Sequence, residues 1–147
     1  MIRIALLLIY LLFPASLYAA GDLTEQKPVE MTVYLSNAKD NLRFYPDVLQ
    51  FETGKLYKLI IKNPSKQKHY FTSEGLARSV FTRKVQIVSP ENQTQVEVKG
   101  SISEIEVYPG HTAEWWFVPV KTLEEGLLRC SIKGHTEAGM SGRITIK

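Results

Sequence analysis

The chain has 147 residues, with 18 basic and 15 acidic side chains, a formal charge of +3 and 44% hydrophobic residues. That length is enough for one domain with its own core. Charges of both signs are interspersed, with no basic block and no acidic tail, which excludes a polycationic nucleic-acid binder.

Residues 1–20 differ in kind from the rest. Met1-Ile2-Arg3 is basic, Ile4 to Phe13 is an apolar run, and Pro14, Ala15 and Ser16 lead to the small residues Ala19, Ala20 and Gly21. This is the pattern of a secretory signal peptide, with cleavage expected near 19–21. The alternative is an uncleaved anchor, but the apolar run is shorter than the roughly 20 residues a spanning helix needs. No later segment is long and apolar enough to span, so the expectation is a periplasmic chain without stable membrane insertion. Arg3 is the only charged residue of the leader, and its removal leaves 17 basic against 15 acidic side chains, a formal +2.

Residues 21–147 read as one domain of short strands. Gly21–Glu30 is polar and reads as a loose lead-in. Met31–Leu35 alternates, and Val48–Phe51 runs toward a turn at Gly54. Lys55–Lys62 (KLYKLIIK) is a strong strand closed by Asn63-Pro64. Ser73–Lys84 (SEGLARSVFTRK) is the one stretch with helical character, capped by Ser73. Val85–Val88 and Gln95–Lys99 flank Ser89-Pro90-Glu91-Asn92. Ile102–Tyr108 alternates and stops at Pro109-Gly110, and His111–Val118 is an aromatic run closed by Pro119. Leu127–Ser131 and Arg143–Lys147 bracket a glycine-rich segment. Short β-rich runs bounded by Gly, Pro and Asn predict an all-β sandwich or barrel with at most one short helix, around 73–84. Trp115 and Trp116 are adjacent, so a strand points them to opposite faces, one into the core and the other to the surface, where ordinary partial exposure is the expectation and a place in a partner site the alternative.

The segment Cys130-Ser-Ile-Lys-Gly-His135-Thr-Glu-Ala-Gly-Met140 places a thiol, an imidazole and a thioether on one stretch, with four residues between each pair. Cys130 is the only cysteine. An exported chain with one thiol has no internal disulfide to make, and a metal would hold and protect it. Soft sulfur combined with imidazole suits copper, and two His with one Cys in a trigonal set plus a distant axial Met is the blue-copper arrangement. One His is then still to be found among His69 and His111. His111 lies in Tyr108-Pro-Gly-His111 and reads as an exposed turn residue. His69 lies between a strand and Tyr70-Phe71, at the mouth of a sandwich, and is the fourth candidate. The bland alternatives are a core methionine at Met140 and a small buried hydrophobe at Cys130. A thiol enzyme pairing Cys130 with His135 would leave Met140 without a role.

Cys130-x4-His135-x4-Met140, followed by Ser-Gly-Arg-Ile-Thr-Ile, resembles the ligand loop of the cupredoxins, the type 1 copper proteins of plastocyanin and azurin kind. Plastocyanins usually have a shorter Cys-to-His gap and azurins a shorter His-to-Met gap, so the spacing is most similar to rusticyanin-type loops. Phe44-Tyr45-Pro46 through Gly54 to His69, and Ile105-Glu-Val-Tyr-Pro-Gly through Trp115-Trp116-Phe117, are also similar. The resemblance covers most of residues 40–147, with 72–100 the least typical part. It implies a Greek-key β-sandwich and one type 1 copper bound by His69, Cys130, His135 and Met140. It further implies one-electron transfer through a partly exposed His135, in a monomer that is not an enzyme and docks redox partner proteins. The alternative for the same site is copper handling, for tolerance or for delivery to a copper-accepting oxidase. Many members carry an Asn after the first His that pins the Cys loop. Tyr70 stands there in this chain, which leaves that role unassigned.

Overall fold

Alternation of apolar and polar residues sets the strands in the computed structural model, which describes residues 25–89, 91 and 94–147. The expected signal peptide at 1–20 lies outside the described residues. In chain order the elements are β1 (Val29–Leu35), β2 (Phe44–Tyr45), β3 (Val48–Phe51), β4 (Tyr57–Lys62), β5 (His69–Thr72), α1 (Glu74–Ser79), β6 (Val80–Val88), β7 (Thr94–Val98), β8 (Glu104–Val107), β9 (Thr112–Pro119), β10 (Leu123–Arg129) and β11 (Ser141–Ile146). One sheet has the order β2-β1-β4-β9-β6-β7 and the other β3-β11-β10-β5-β8. Both are mixed, because β1 pairs parallel with β4 and β3 parallel with β11. The result is the expected Greek-key β-sandwich. Among the described residues no helix is long and apolar enough to cross a membrane.

The core lies between the inward faces. Leu59 and Ile61 of β4, Ala113, Trp115 and Phe117 of β9, Phe71 of β5, and Ile144 and Ile146 of β11 are all buried. Their rings meet edge to face: Phe71 with Trp115 at 6.3 Å between centroids, Trp115 with Phe117 and Phe117 with Phe51 each at 5.2 Å. Such pairs add about 0.5–1.5 kcal/mol each beyond area burial. The Trp115 indole N–H is satisfied by Thr82 Oγ1 at 3.1 Å. Trp116 points outward and is half-buried, as the alternation requires.

Three details depart from the sequence expectations. The helix stops at Ser79, although Ser73 does cap it by accepting from the Leu76 amide at 3.4 Å. Val80, Phe81 and Thr82 have β-branched or aromatic side chains and continue as β6, which pairs with β9 along its length. The least typical stretch therefore supplies two strands of the larger sheet. The described part of the lead-in, from residue 25, is fastened rather than loose: the Gln26 amide donates to the Gly54 carbonyl at 3.1 Å and accepts from the Leu56 amide at 2.8 Å. Two short strands, β2 and β5, had no sequence signal of their own.

Parallel pairing of β11 with β3 requires close approach at Gly142. A side chain there would land against the Asp47 carbonyl, which already accepts from the Arg143 amide at 2.7 Å. Since the obstacle is backbone, Gly142→Ala should cost about 1–3 kcal/mol by overpacking. A melting curve checks this, and an unchanged midpoint would count against the close approach.

Candidate metal centre

At one end of the sandwich β4 and β10 finish and β5 and β11 begin. The loops 63–68 and 130–140 meet there. Asn63 organises the first of them. It is 1% exposed, and its amide donates to the Gln67 carbonyl at 2.7 Å and to the Val107 carbonyl at 2.8 Å. Its side-chain oxygen accepts from the Ser65 amide at 3.0 Å and the Ser65 hydroxyl at 2.7 Å. The loop is thus closed on itself and tied to β8, whose Val107 is the register partner of His69. Alternation along β5 then turns His69 and Phe71 inward, where both are fully buried, and leaves Tyr70 on the outer side.

The second loop begins at Cys130, directly after β10. It is wound by hydrogen bonds from His135 N to Ile132 O at 3.0 Å, Ala138 N to Gly134 O at 3.0 Å and Met140 N to His135 O at 2.9 Å. It is closed by Cys130 N to Met140 O at 3.2 Å. Gly139 has φ of +104°, a conformation other residues rarely adopt, and it lets the loop pass over Leu42. The Thr136 hydroxyl donates to the Cys130 carbonyl at 2.9 Å. That bond pins the loop from within, the task left open by Tyr70.

Three donors converge as a result. Cys130 Sγ lies 3.5 Å from His135 Nδ1 and 4.0 Å from His69 Nδ1, and ligand atoms of all three residues fall within 4.8 Å of one another. Cys130 is fully buried and His135 half-buried. Met140 is fully buried at the end of the same loop. His111 is not part of the cluster: it is exposed in its turn, with Nδ1 2.9 Å from the Pro109 carbonyl. The sequence reading missed Asn63 and Thr136, whose roles depend on what the fold places opposite them. Asn63 carried only a turn signal.

Burial acts in opposite directions on the two buried donors, readying His69 as a ligand and leaving Cys130 a proton that a metal must displace. Burial pushes the Cys130 thiol above its ordinary value, while the amides of Tyr70 and Ile132 pull it back. The Tyr70 N–H reaches the sulfur at 3.4 Å. Burial, and after it the neighbouring His135, hold His69 below its ordinary value, so its ring is neutral and ready as a ligand near pH 7. A soft thiolate with two imidazole nitrogens and no carboxylate in the cluster is a donor set that copper fits.

These shifts have opposite consequences for the metal-free chain. His69 binds its proton less well folded than unfolded, so its stabilising contribution is present above the ordinary 6.5 and lost as pH falls. Cys130 holds its proton better when folded, so its contribution is present below the ordinary 9.0 and lost as pH rises. Denaturant midpoints of the metal-free chain across pH should therefore fall on both sides of that window. A His69→Gln variant should show a flatter acid limb.

No protein-family model matches the sequence, and no curated protein does. Solved structures do match. A multicopper oxidase from Campylobacter jejuni, described as a metallo-oxidase, aligns at 16% identity and a TM-score of 0.57 over 83% of this chain and 31% of its own. The McoA multicopper oxidase of the hyperthermophile Aquifex aeolicus aligns at 14% identity and 0.57, over 84% of this chain and 31% of its own. Reduced auracyanin from the photosynthetic bacterium Roseiflexus castenholzii aligns at 14% and 0.51, over 82% of this chain and 99% of its own. The chain thus spans about a third of each oxidase and nearly all of the auracyanin. This chain has the cupredoxin fold, and its His69–Cys130–His135 cluster fits a type 1 copper site.

Proposed function

We propose that this chain is an exported mononuclear type 1 copper protein, with His69, Cys130, His135 and Met140 as ligands, that carries single electrons between redox partners. When bound, copper supplies a one-electron couple between Cu(II) and Cu(I). The chain supplies the rest. Cys130 and His69 give a thiolate and an imidazole that water does not reach. The amides of Tyr70 and Ile132 donate to the sulfur and stabilise negative charge there, which favours the electron-richer reduced state and raises the reduction potential. His135, half-buried on the outer loop, offers its ring edge as the contact through which a partner exchanges an electron.

The observation that carries this reading is the burial and pinning of the donors. Asn63 fixes the His69 loop and Thr136 fixes the Cys130 loop, so little has to move between oxidation states. A site built to release its cargo would gain from the opposite, a loose and open loop. Comparing a gene-deletion strain with its parent tests the reading. Loss of respiratory electron flow at ordinary copper supports the carrier. Copper sensitivity with intact electron flow would replace it with copper handling.

A further inference from the structure

Away from the ligand loops, the outer face of the larger sheet carries a groove with its own chemistry. A β-bulge between Thr82 and Lys84 resets the alternation of β6 against β9. Phe81 pairs with Val118 and Lys84 with Trp116, both on the outer side, and Arg83 is the extra, exposed residue. Together with Glu97 and Lys99 these side chains line a groove of about 490 Å³.

Its charge is unbalanced. Lys84 and Lys99 share the single carboxylate of Glu97, at 3.0 and 3.3 Å. Arg83 has no ion-pair partner among the described residues. Lys58, on the far side of Trp116, adds nothing free, because it is held by Glu114 at 2.9 Å and Glu30 at 3.3 Å. The apolar part is equally uncovered. Phe81 is 63% exposed, and the Trp116 ring beside it stands between the ammonium groups of Lys58 and Lys84, 5.5 and 5.2 Å from its centroid.

We infer that this groove docks an acidic segment of a partner protein, in which carboxylates flank an apolar or aromatic side chain. The carboxylates pair with Arg83 and with the lysines that Glu97 now holds, and the apolar side chain covers Phe81 and Trp116. A small inorganic anion would leave both aromatics in water. A phosphate backbone likewise carries no apolar side chain to cover Phe81 and Trp116 between its charges. The ligand loops lie at the end where β9 begins at Thr112, whereas the groove lies along its second half, so a docked segment leaves the His135 surface free. It would hold a partner beside the chain and raise its local concentration at the metal end. The inference does not depend on what the copper does.

An NMR titration of the chain with the pentapeptide Asp-Glu-Phe-Glu-Asp tests it. Saturable shifts are expected at the amides of Phe81, Arg83, Lys84 and Glu97 and at the Trp116 indole. Arg83→Glu and Phe81→Ser should each weaken binding roughly tenfold, and added salt should weaken it further. Glu97→Gln should tighten it by removing the competing carboxylate, a gain that a merely structural role for Glu97 would not produce. The inference is overturned by equal binding of Lys-Lys-Phe-Lys-Lys, by the absence of saturable shifts in the groove, or by stronger Arg83-dependent binding to oligothymidylate or to phosphatidylglycerol vesicles.

Discussion

Cys130→Ala should abolish the intense visible colour of the Cu(II)-loaded chain. That colour would arise from charge transfer out of a thiolate orbital, and Cys130 is the chain's only thiol. The remaining donors, two imidazoles and a thioether, have no comparable band. Copper affinity should also fall by more than the roughly 10–100-fold typical of losing an outer partner, because here a coordinating group itself is removed. The fold should survive, since the change deletes one small buried atom. His111→Ala is the matched control: exposed and outside the cluster, it should leave colour and stoichiometry intact. Absorption spectra and metal analysis of the three proteins decide the matter. Colour persisting in Cys130→Ala would sink the site assignment, and colour lost in His111→Ala would mean that the wrong histidine had been chosen.

Asn63→Ala should destabilise the chain by about 2–4 kcal/mol, on the basis of about 1–3 kcal/mol for each buried polar group left unpaired. The substitution removes the donor to the Gln67 and Val107 carbonyls and the acceptor of the Ser65 amide and hydroxyl. The Ser65 hydroxyl keeps its bond to the Gln67 carbonyl at 2.9 Å, so the loop loosens without being wholly released. The same change should reach the metal site, because the freed loop leads directly into His69. A denaturation midpoint reads the first effect. A shifted or broadened charge-transfer band and faster copper loss read the second. A fall in stability with an unchanged band would show that Asn63 supports the loop without positioning the ligand.

Much of this was legible in the sequence because the responsible interactions are local. The strands Val48–Phe51 and Tyr57–Lys62 fall within the expected runs Val48–Phe51 and Lys55–Lys62, and the turns that bound them are marked by Gly54 and by Asn63-Pro64. Ser73 announced its helix through its own side chain. The length of that helix was not legible. Glu74–Ser79 and Val80–Val88 divide where pairing with β9 becomes available, and nothing in SEGLARSVFTRK says that β9 is near. β5 was missed for the same reason: His69–Thr72 is four residues long and is a strand because β8 and β10 flank it.

The metal centre divides along the same line. The sequence alone determined the donor types and the spacing from Cys130 to Met140, since the eleven residues of the loop bring their own ends together with a handful of short-range hydrogen bonds. It also determined that a lone thiol stood among them. The sequence favoured His69 over His111 from their settings, but only the tertiary structure brings His69, 61 residues from Cys130, against that thiol and leaves His111 outside the cluster. It alone decided that Asn63 and Thr136 hold the two loops. The physical reason is range. A ligand on the same loop is placed by backbone geometry that neighbouring residues specify, whereas a ligand from another strand is placed by sheet register and core packing, which the whole chain specifies together.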